Sequence, residues 1–441
     1  MSFIEPIAFS NSLAKEIYSW TEDLFPICRS LTGEGVRQTL RYIENLLPGL
    51  NIREIASGTK VFDWEIPKEW NVKEAFVEDE DGRRIVCFEQ NNLHLLGYST
   101  PVDQWVTLSE LEEHLYSIEN QPDVIPYRTS YYAPNWGFCI SQRQRNSLKA
   151  KKYRVVINTS LTNGVLNYGE YIIPGETSDE ILFSTYVCHP SMANNELSGP
   201  VVATALARKI AQEKAEKNIR FRHTFRFVFV PETIGSIAYI SRNIEELQAN
   251  VKAGFVLTCL GDNGDFSLIN SRSADTLADS VADHVLKNRT DSFKRYSFLE
   301  RGSDERQYCS VGVDLPVCSI TRSKYGTFPE YHTSLDDLNF VSGENLLASL
   351  KIYGDLIYCL ENNFVIKTTT LCEPQLGKRG LYPVINTPDS KNQVRLLTDI
   401  LAYADGQTSL IEIAEVLNTN IWEVAVVAAK LLEHGLLEIR D

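Results

Sequence analysis

Polar residues able to do chemistry stand where the apolar, β-type runs of this chain stop. His189 follows STYVC, Glu232 follows RFVFVP, and Cys259 to Asp262 follow GFVL. Asp304 lies in ERGSDERQY ahead of the run LPVCSI, and His332 in PEYHTSLDDL comes after it. Two neutral imidazoles and a carboxylate that leave one position open make up the usual catalytic zinc site. Such an ion polarises a carbonyl and lowers the pKa of a bound water. A glutamate free of the metal can then take the proton of that water. On this reading His189 and His332 are ligands, Glu232 is the general base, and Asp304 orients a ligand or a substrate amine.

Each residue also has a plainer reading. A histidine at a strand end often only completes a hydrogen-bond pattern. Glu232 could serve the dipole of a following helix, Asp304 could cap a turn, and HTSLDD could be an exposed loop. Individually these signals are weak, and their recurrence at successive strand ends is what gives them weight. A thiol mechanism competes because Cys188 adjoins His189, but neighbours on a strand point to opposite faces. Cys188 paired with His332 is the form of that mechanism left open.

The elements that would position these groups alternate. EILFSTYVC precedes the helical pattern GPVVATALARKIAQEKAEK, HTFRFVFVP precedes a helix from about Gly235, and AGFVLTCLG precedes SADTLADSVADHVLKNR. LPVCSI and GENLLASLKIYGDLIYCLENN close the unit. Alternation of this kind predicts a parallel sheet with helices on both faces, where ligands bind beyond the carboxyl ends of the strands. Two helices are expected over residues 9–48, and a small β-rich insert follows with the aromatic loop DVIPYRTSYYAPNWGFCISQ. Asn163-Gly164, between two β-type runs, reads as a hairpin. After residue 367, three short helical patterns and the final LLEIRD resemble a winged helix.

The chain has 441 residues, 43% of them hydrophobic, and a formal charge of −15, which disfavours general nucleic-acid binding. Its last segment, from Gly380, holds four basic against nine acidic residues, so a packing or homo-oligomerisation role is expected there. Nine scattered cysteines without a CxxC pair fit a reducing compartment. The opening segment lacks the basic flank and apolar core of a signal peptide, and no run is long enough for a membrane helix. A cytoplasmic protein without membrane or nucleic-acid partners is expected.

The order of these segments resembles the zinc-dependent aminopeptidases, a family that includes glutaminyl cyclases. CHP, ANNELSG, PETIG, TCLG, GSDER and EYHTSLDDL match the family's histidine after a strand, A-N-D-x-x-S-G, E-E-x-G, D-M-x-G, S-D-H and Y-H. The likeness covers residues 1–50 and 165–365. More closely, the whole chain is similar to an aminopeptidase-like group found near polysaccharide-biosynthesis genes, with a β-rich insert and a C-terminal winged-helix-like domain. His189, the base Glu232, Asp304 and His332 carry over. Asn195, Thr233 and Thr258 stand where the family has an aspartate, a glutamate and an aspartate, so three of five ligands of a two-zinc site are gone. One ion is therefore expected, with Glu196, one residue past a missing ligand, as the replacement carboxylate.

These readings together predict an α/β aminopeptidase-like domain over 1–51 and 160–366, an insert over 52–159 and a winged-helix-like domain over 367–441. The sheet is expected to be mostly parallel, with helices on both faces. The expected activity is hydrolysis of an amide or peptide-type bond in a small-molecule or peptide-like substrate. One zinc would be held by His189, Glu196 and His332, with Glu232 and Asp304 catalytic and Trp136, Tyr131 and Tyr132 walling the pocket. The alternatives are a catalytically inactive binding module on the same fold, or an amide- or acyl-transfer enzyme of polysaccharide biosynthesis.

Overall fold

The runs EILFSTY and TFRFVFV become the two central strands, Glu180–Tyr186 and Thr224–Val230, and every residue of both is buried. Alternation along them sorts the side chains onto two faces. Ile181, Phe183, Phe225, Phe227 and Phe229 share one core with Leu13–Leu24, Glu34–Leu46, Ser198–Glu216, Leu277–Arg289 and Gly343–Asn362. Leu182, Tyr186, Val228 and Val230 share the other with Ile234–Asn250 and the insert. Phe183 stacks between Phe227 and Phe255, with ring centroids 4.9 and 5.7 Å away, which locks three neighbouring strands.

The computed structural model describes residues 3–381 and 388–440. Its central sheet has eight strands and is mostly parallel. Glu180–Tyr186 runs parallel to Thr224–Val230 on one side and to Val251–Leu257 on the other, and Val317–Thr321 follows in parallel. Asn51–Ala56 and Val165–Ile173 close one edge antiparallel. The insert has its own antiparallel sheet, built from Glu69–Asp79, Arg84–Cys87, Val102–Thr107 and Lys152–Thr162. Among the described residues no helix is long and apolar enough to cross a membrane.

The Asn163-Gly164 hairpin does not form. Lys152–Thr162 pairs inside the insert, whereas Val165–Ile173 pairs in the central sheet, so this dipeptide marks the passage between two sheets. Glu69 explains the turn: its carboxylate accepts the Val165 N–H at 3.1 Å, and a Cβ on Gly164 would lie 2.4 Å from that carboxylate.

The C-terminal patterns form helices Pro388–Tyr403, Leu410–Val416 and Ile421–Glu433, and a three-stranded sheet of Val365–Thr368, Asp405–Ser409 and Leu437–Arg440. In a winged helix that reads DNA, the N-terminal residues of the second helix of the helix-turn-helix pair face the bases. Here that end is turned onto the α/β domain. Trp422 stacks on Tyr358 at 5.9 Å and 6°, and the Arg289 guanidinium lies 3.7 Å from its ring centre. The Ile421 N–H donates to His284 Nε2 at 3.1 Å, while His284 Nδ1 meets Glu415 at 2.7 Å. Trp422→Ala should lower the unfolding free energy by about 2–4 kcal/mol. Val426→Ala, 68% exposed on the same helix, should change it by less than about 0.5 kcal/mol. Denaturant titrations followed by circular dichroism read both, and equal effects would show that this contact carries no stability.

Candidate active site

Each expected site residue lies just past the carboxyl end of a buried strand or in a loop folded over those ends. The strand Glu180–Tyr186 stops two residues before Cys188, and the chain turns at His189-Pro190 into a single π turn, Ala193–Leu197. That turn feeds the helix Ser198–Glu216, where a Cβ on Gly199 would lie 2.3 Å from both the Leu257 carbonyl and Thr185 Oγ1. Only glycine lets the helix start this close to the sheet.

Glu196 lies behind His189 and is fully buried. Its Oε2 accepts the His189 backbone N–H at 2.5 Å and faces His189 Nδ1 at 3.0 Å. Its Oε1 accepts Arg29 Nε at 2.9 Å. Arg29 also donates to the carbonyls of His189 and Leu24, at 3.0 and 2.6 Å. With Nδ1 held in this way, Nε2 points into the cavity, 3.7 Å from a Glu232 carboxylate oxygen. Burial alone would depress the His189 pKa, but the hydrogen bond and charge of Glu196, then the charge of Glu232, outweigh it and leave the pKa raised.

Glu232 follows the neighbouring strand, and burial raises its carboxyl pKa against the opposing charges of His189 and Arg306. The next residue, Thr233, has φ +64°, a strained conformation for a β-branched side chain. Asp304 holds this turn. Its Oδ1 accepts the Thr233 N–H and the Ser236 hydroxyl, both at 2.8 Å, while its Oδ2 is buried without a partner. Burial, then the charge of Glu232, pushes Asp304 up to about 7.

His332 also adopts a left-handed conformation, with φ +56°. Its ring stacks on Tyr331 at 3.9 Å, and its Nε2 is buried without a partner. Burial, then the charge of His189, lowers its pKa to about 3, so the ring is neutral. The rings of His189 and His332 are 5.4 Å apart, and Tyr127 lies against both, at 5.0 and 5.1 Å. Four residues on, Asp336 accepts the backbone N–H groups of Asn194 and Asn195 at 2.6 and 2.9 Å, tying the His332 loop to the π turn.

His189, Glu232 and His332 line one cavity of about 490 Å³, with Tyr131 and Tyr132 in its wall. Trp136, expected there, instead stacks on His114 at 3.6 Å, and Trp64 supplies the indole of the wall. Arg29 and Asp336, which sequence reasoning missed, act at a distance. Nothing around FPICRS marks an arginine that will reach a turn 160 residues later, whereas Asp336 was visible in SLDD.

Cys188 and His189 do not face opposite ways, because both lie past the strand end; Sγ is 3.4 Å from Nδ1. The thiol is unsuited to attack for other reasons. Burial, then the charges of Glu196 and Glu232, raises its pKa far above the ordinary value, and Sγ accepts the Glu232 N–H at 3.2 Å.

Among the described residues, Cys188, His189 and Glu196 are the one group of three whose donor atoms lie within 4.8 Å of one another. The Arg29 guanidinium already takes the charge of Glu196, so this group is a poor cage for a cation. On the cavity side the donors are the Nε2 atoms of two imidazoles, that of His332 without a partner, and the Glu232 carboxylate lies beside them, 3.7 Å from His189 Nε2. Two imidazoles can hold one zinc-like ion with positions left open, and Glu232 stays free of it. Among the described residues, no carboxylate besides Glu232 lines this cavity to hold a second ion. Asn195 and Thr258 are joined to Tyr186 in a neutral hydrogen-bond network, at 3.0 and 2.6 Å, and the Thr233 hydroxyl accepts a hydrogen bond from Arg306.

A family model described as a domain of unknown function (DUF4910) matches residues 18–363, and one described as a winged helix-turn-helix matches residues 364–439. A relative in Clostridium acetobutylicum, named as a candidate polysaccharide biosynthesis protein with an aminopeptidase-like domain, is 44% identical over 92% of each chain. The crystal structure of a candidate peptidase from the same organism superposes with a TM-score of 0.90, at 41% identity and 97% coverage of both chains. A zinc aminopeptidase from Bacillus subtilis gives a TM-score of 0.59 at 14% identity, covering 80% of this chain and 96% of that one, a likeness of fold alone. The chain therefore belongs to the DUF4910 family, with an aminopeptidase-like α/β domain followed by a winged helix.

Proposed function

We propose that this protein is a single-metal hydrolase that cleaves an amide or peptide-type bond in a small substrate. The observation that carries the reading is the convergence of His189 Nε2, the Glu232 carboxylate and the unpartnered His332 Nε2 on one cavity. His189 and His332 would hold a zinc ion, which when bound supplies polarisation of the substrate carbonyl and acidification of a water. Glu232 takes the proton of the attacking water and returns it to the leaving nitrogen, a role to which its raised pKa is suited. Asp304 keeps the strained Thr233 turn, and so Glu232, in place. Glu196 serves as the buttress of His189 in place of a third ligand, since its oxygens are already engaged by Arg29 and His189. Tyr131, Tyr132 and Trp64 wall the substrate.

The C-terminal module acts as a brace on this reading, because the helix end that would enter a DNA groove packs on Tyr358 and Arg289. A cytoplasmic place, no nucleic-acid or membrane partner, and a homo-oligomeric assembly complete the proposal. The name of the Clostridium relative points to a substrate drawn from polysaccharide assembly. A second reading, an inactive binding module, is favoured by one observation, the neutral side chains of Asn195 and Thr258 at two ligand positions of the two-zinc pattern, both bonded to Tyr186.

Elemental analysis separates the two. The hydrolase should carry about one zinc per chain, and His189→Ala and His332→Ala should lose it. Glu232→Gln should keep the metal but cleave amides about 10²–10⁴-fold more slowly. Folded protein without metal would sink the enzyme reading.

The buttress has its own test. Glu196→Ala leaves the Arg29 charge buried and unpaired and should cost about 3–5 kcal/mol of stability, much of it recovered in the Arg29→Met/Glu196→Leu double variant. Glu196→Gln should weaken zinc binding about 10–100-fold, the usual size of an outer-shell loss. Unchanged zinc affinity would show that Glu196 does not position His189.

A further inference from the structure

The charge of the catalytic cavity runs against the charge of the chain. In a protein of formal charge −15, this wall carries two guanidinium groups, Arg128 and Arg306, against a single carboxylate, Glu232. Among the described residues neither arginine forms an ion pair with a carboxylate. Arg306 is held in place: a terminal nitrogen donates to Thr233 Oγ1 at 2.5 Å, and its Nε is buried without an acceptor. The Arg128 guanidinium rests on the ring of Tyr116, 4.1 Å from its centre.

Thr233 is the informative neighbour. It stands where the two-zinc pattern has a ligand glutamate, and a carboxylate there would pair with Arg306 and cancel its charge. A hydroxyl fixes one arm of the fork and leaves the guanidinium without a contacting carboxylate, its charge felt only at longer range by Glu232 and Asp304. A guanidinium that lines a cavity, is fixed by one hydroxyl and contacts no carboxylate marks a place for an anionic oxygen. A free ammonium group, such as a peptide N-terminus, would meet two cations here.

We propose that Arg306, assisted by Arg128, binds an anionic group of the substrate, a carboxylate or a phosphate, close to the bond that is cleaved. This rests on reading the cavity as the substrate site and narrows its substrates to negatively charged amides. Arg306 is a specificity residue in this scheme and takes no part in proton transfer.

The test uses the full-length protein as purified, with calorimetric titration of N-acetyl-L-glutamate, its uncharged diamide and inorganic phosphate. The acid should bind about tenfold or more tightly than the diamide, a gap expected of a charge-assisted bond. Raising the salt concentration should narrow that gap. Arg306→Gln should abolish the preference, Arg306→Lys should keep part of it, and Arg128→Gln should reduce it, each with an unchanged thermal midpoint. Phosphate that competes with the acid identifies both anions as ligands of one site, and phosphate that does not compete leaves the carboxylate as the ligand. Equal binding of acid and diamide, or a preference that survives Arg306→Gln, overturns the inference, since the anion would then be held by the metal or elsewhere. If zinc is bound and neutral amides are cleaved while acid and diamide bind alike, this inference falls and the hydrolase reading stands.

Discussion

The ion pair between Arg29 and Glu196 is the contact on which the site depends, and both side chains are fully out of water. Two charges in that position are costly unless each remaining donor and acceptor is met. The structure meets nearly all of them. Glu196 accepts from Arg29 and from the backbone and ring of His189, and Arg29 donates to two carbonyls, leaving one terminal nitrogen over. The consequence is geometric. Three pieces of chain, namely the loop after the first helix, the strand end and the π turn, are fastened at one point, so the His189 ring has one orientation and presents Nε2 to the cavity.

That dependence explains what could and could not be read from the sequence. His189, Glu232, Asp304 and His332 were legible because a parallel sheet delivers every strand end to the same rim, and runs such as TFRFVFV announce where the ends fall. Glu196 was visible as a residue but not as a role. Whether its carboxylate faced a metal or Arg29 depended on a guanidinium that contributes no local pattern. Trp136 was misallocated for a similar reason, since composition shows an aromatic insert but not which indole stacks on a histidine and which one, Trp64, lines the cavity. The Asn163-Gly164 turn carried a correct local signal with the wrong partner, because Glu69 recruits the following strand into a different sheet.

The neutral residues at family ligand positions are better understood as replacements than as losses. Asn195 and Thr258 share hydrogen bonds with the buried hydroxyl of Tyr186, a neutral network that leaves only Asn195 Oδ1 without a partner. At Thr233 the change is of another kind, because the hydroxyl takes up a permanent cation, Arg306. Removing carboxylates from a deep cavity while keeping a guanidinium shifts its potential toward positive, and low-dielectric walls prolong the reach of that shift.

The insert completes the argument because it governs His332 and the entrance together. Tyr127 touches both histidine rings, its N–H donates to the His332 carbonyl at 2.8 Å, and Ile125 is bonded to Ser334 through backbone and hydroxyl at 2.9 and 3.0 Å. The loop bearing His332 is thus clamped between the insert on one side and, through Asp336, the π turn on the other. A residue with φ +56° keeps that conformation only when both sides hold it. The same stretch of insert places Tyr131 and Tyr132 in the wall of this cavity and of the adjoining one, of about 800 Å³, together with Trp64. Since one segment both seats the second imidazole and shapes the entrance, changes in the insert that alter substrate size must also act on His332.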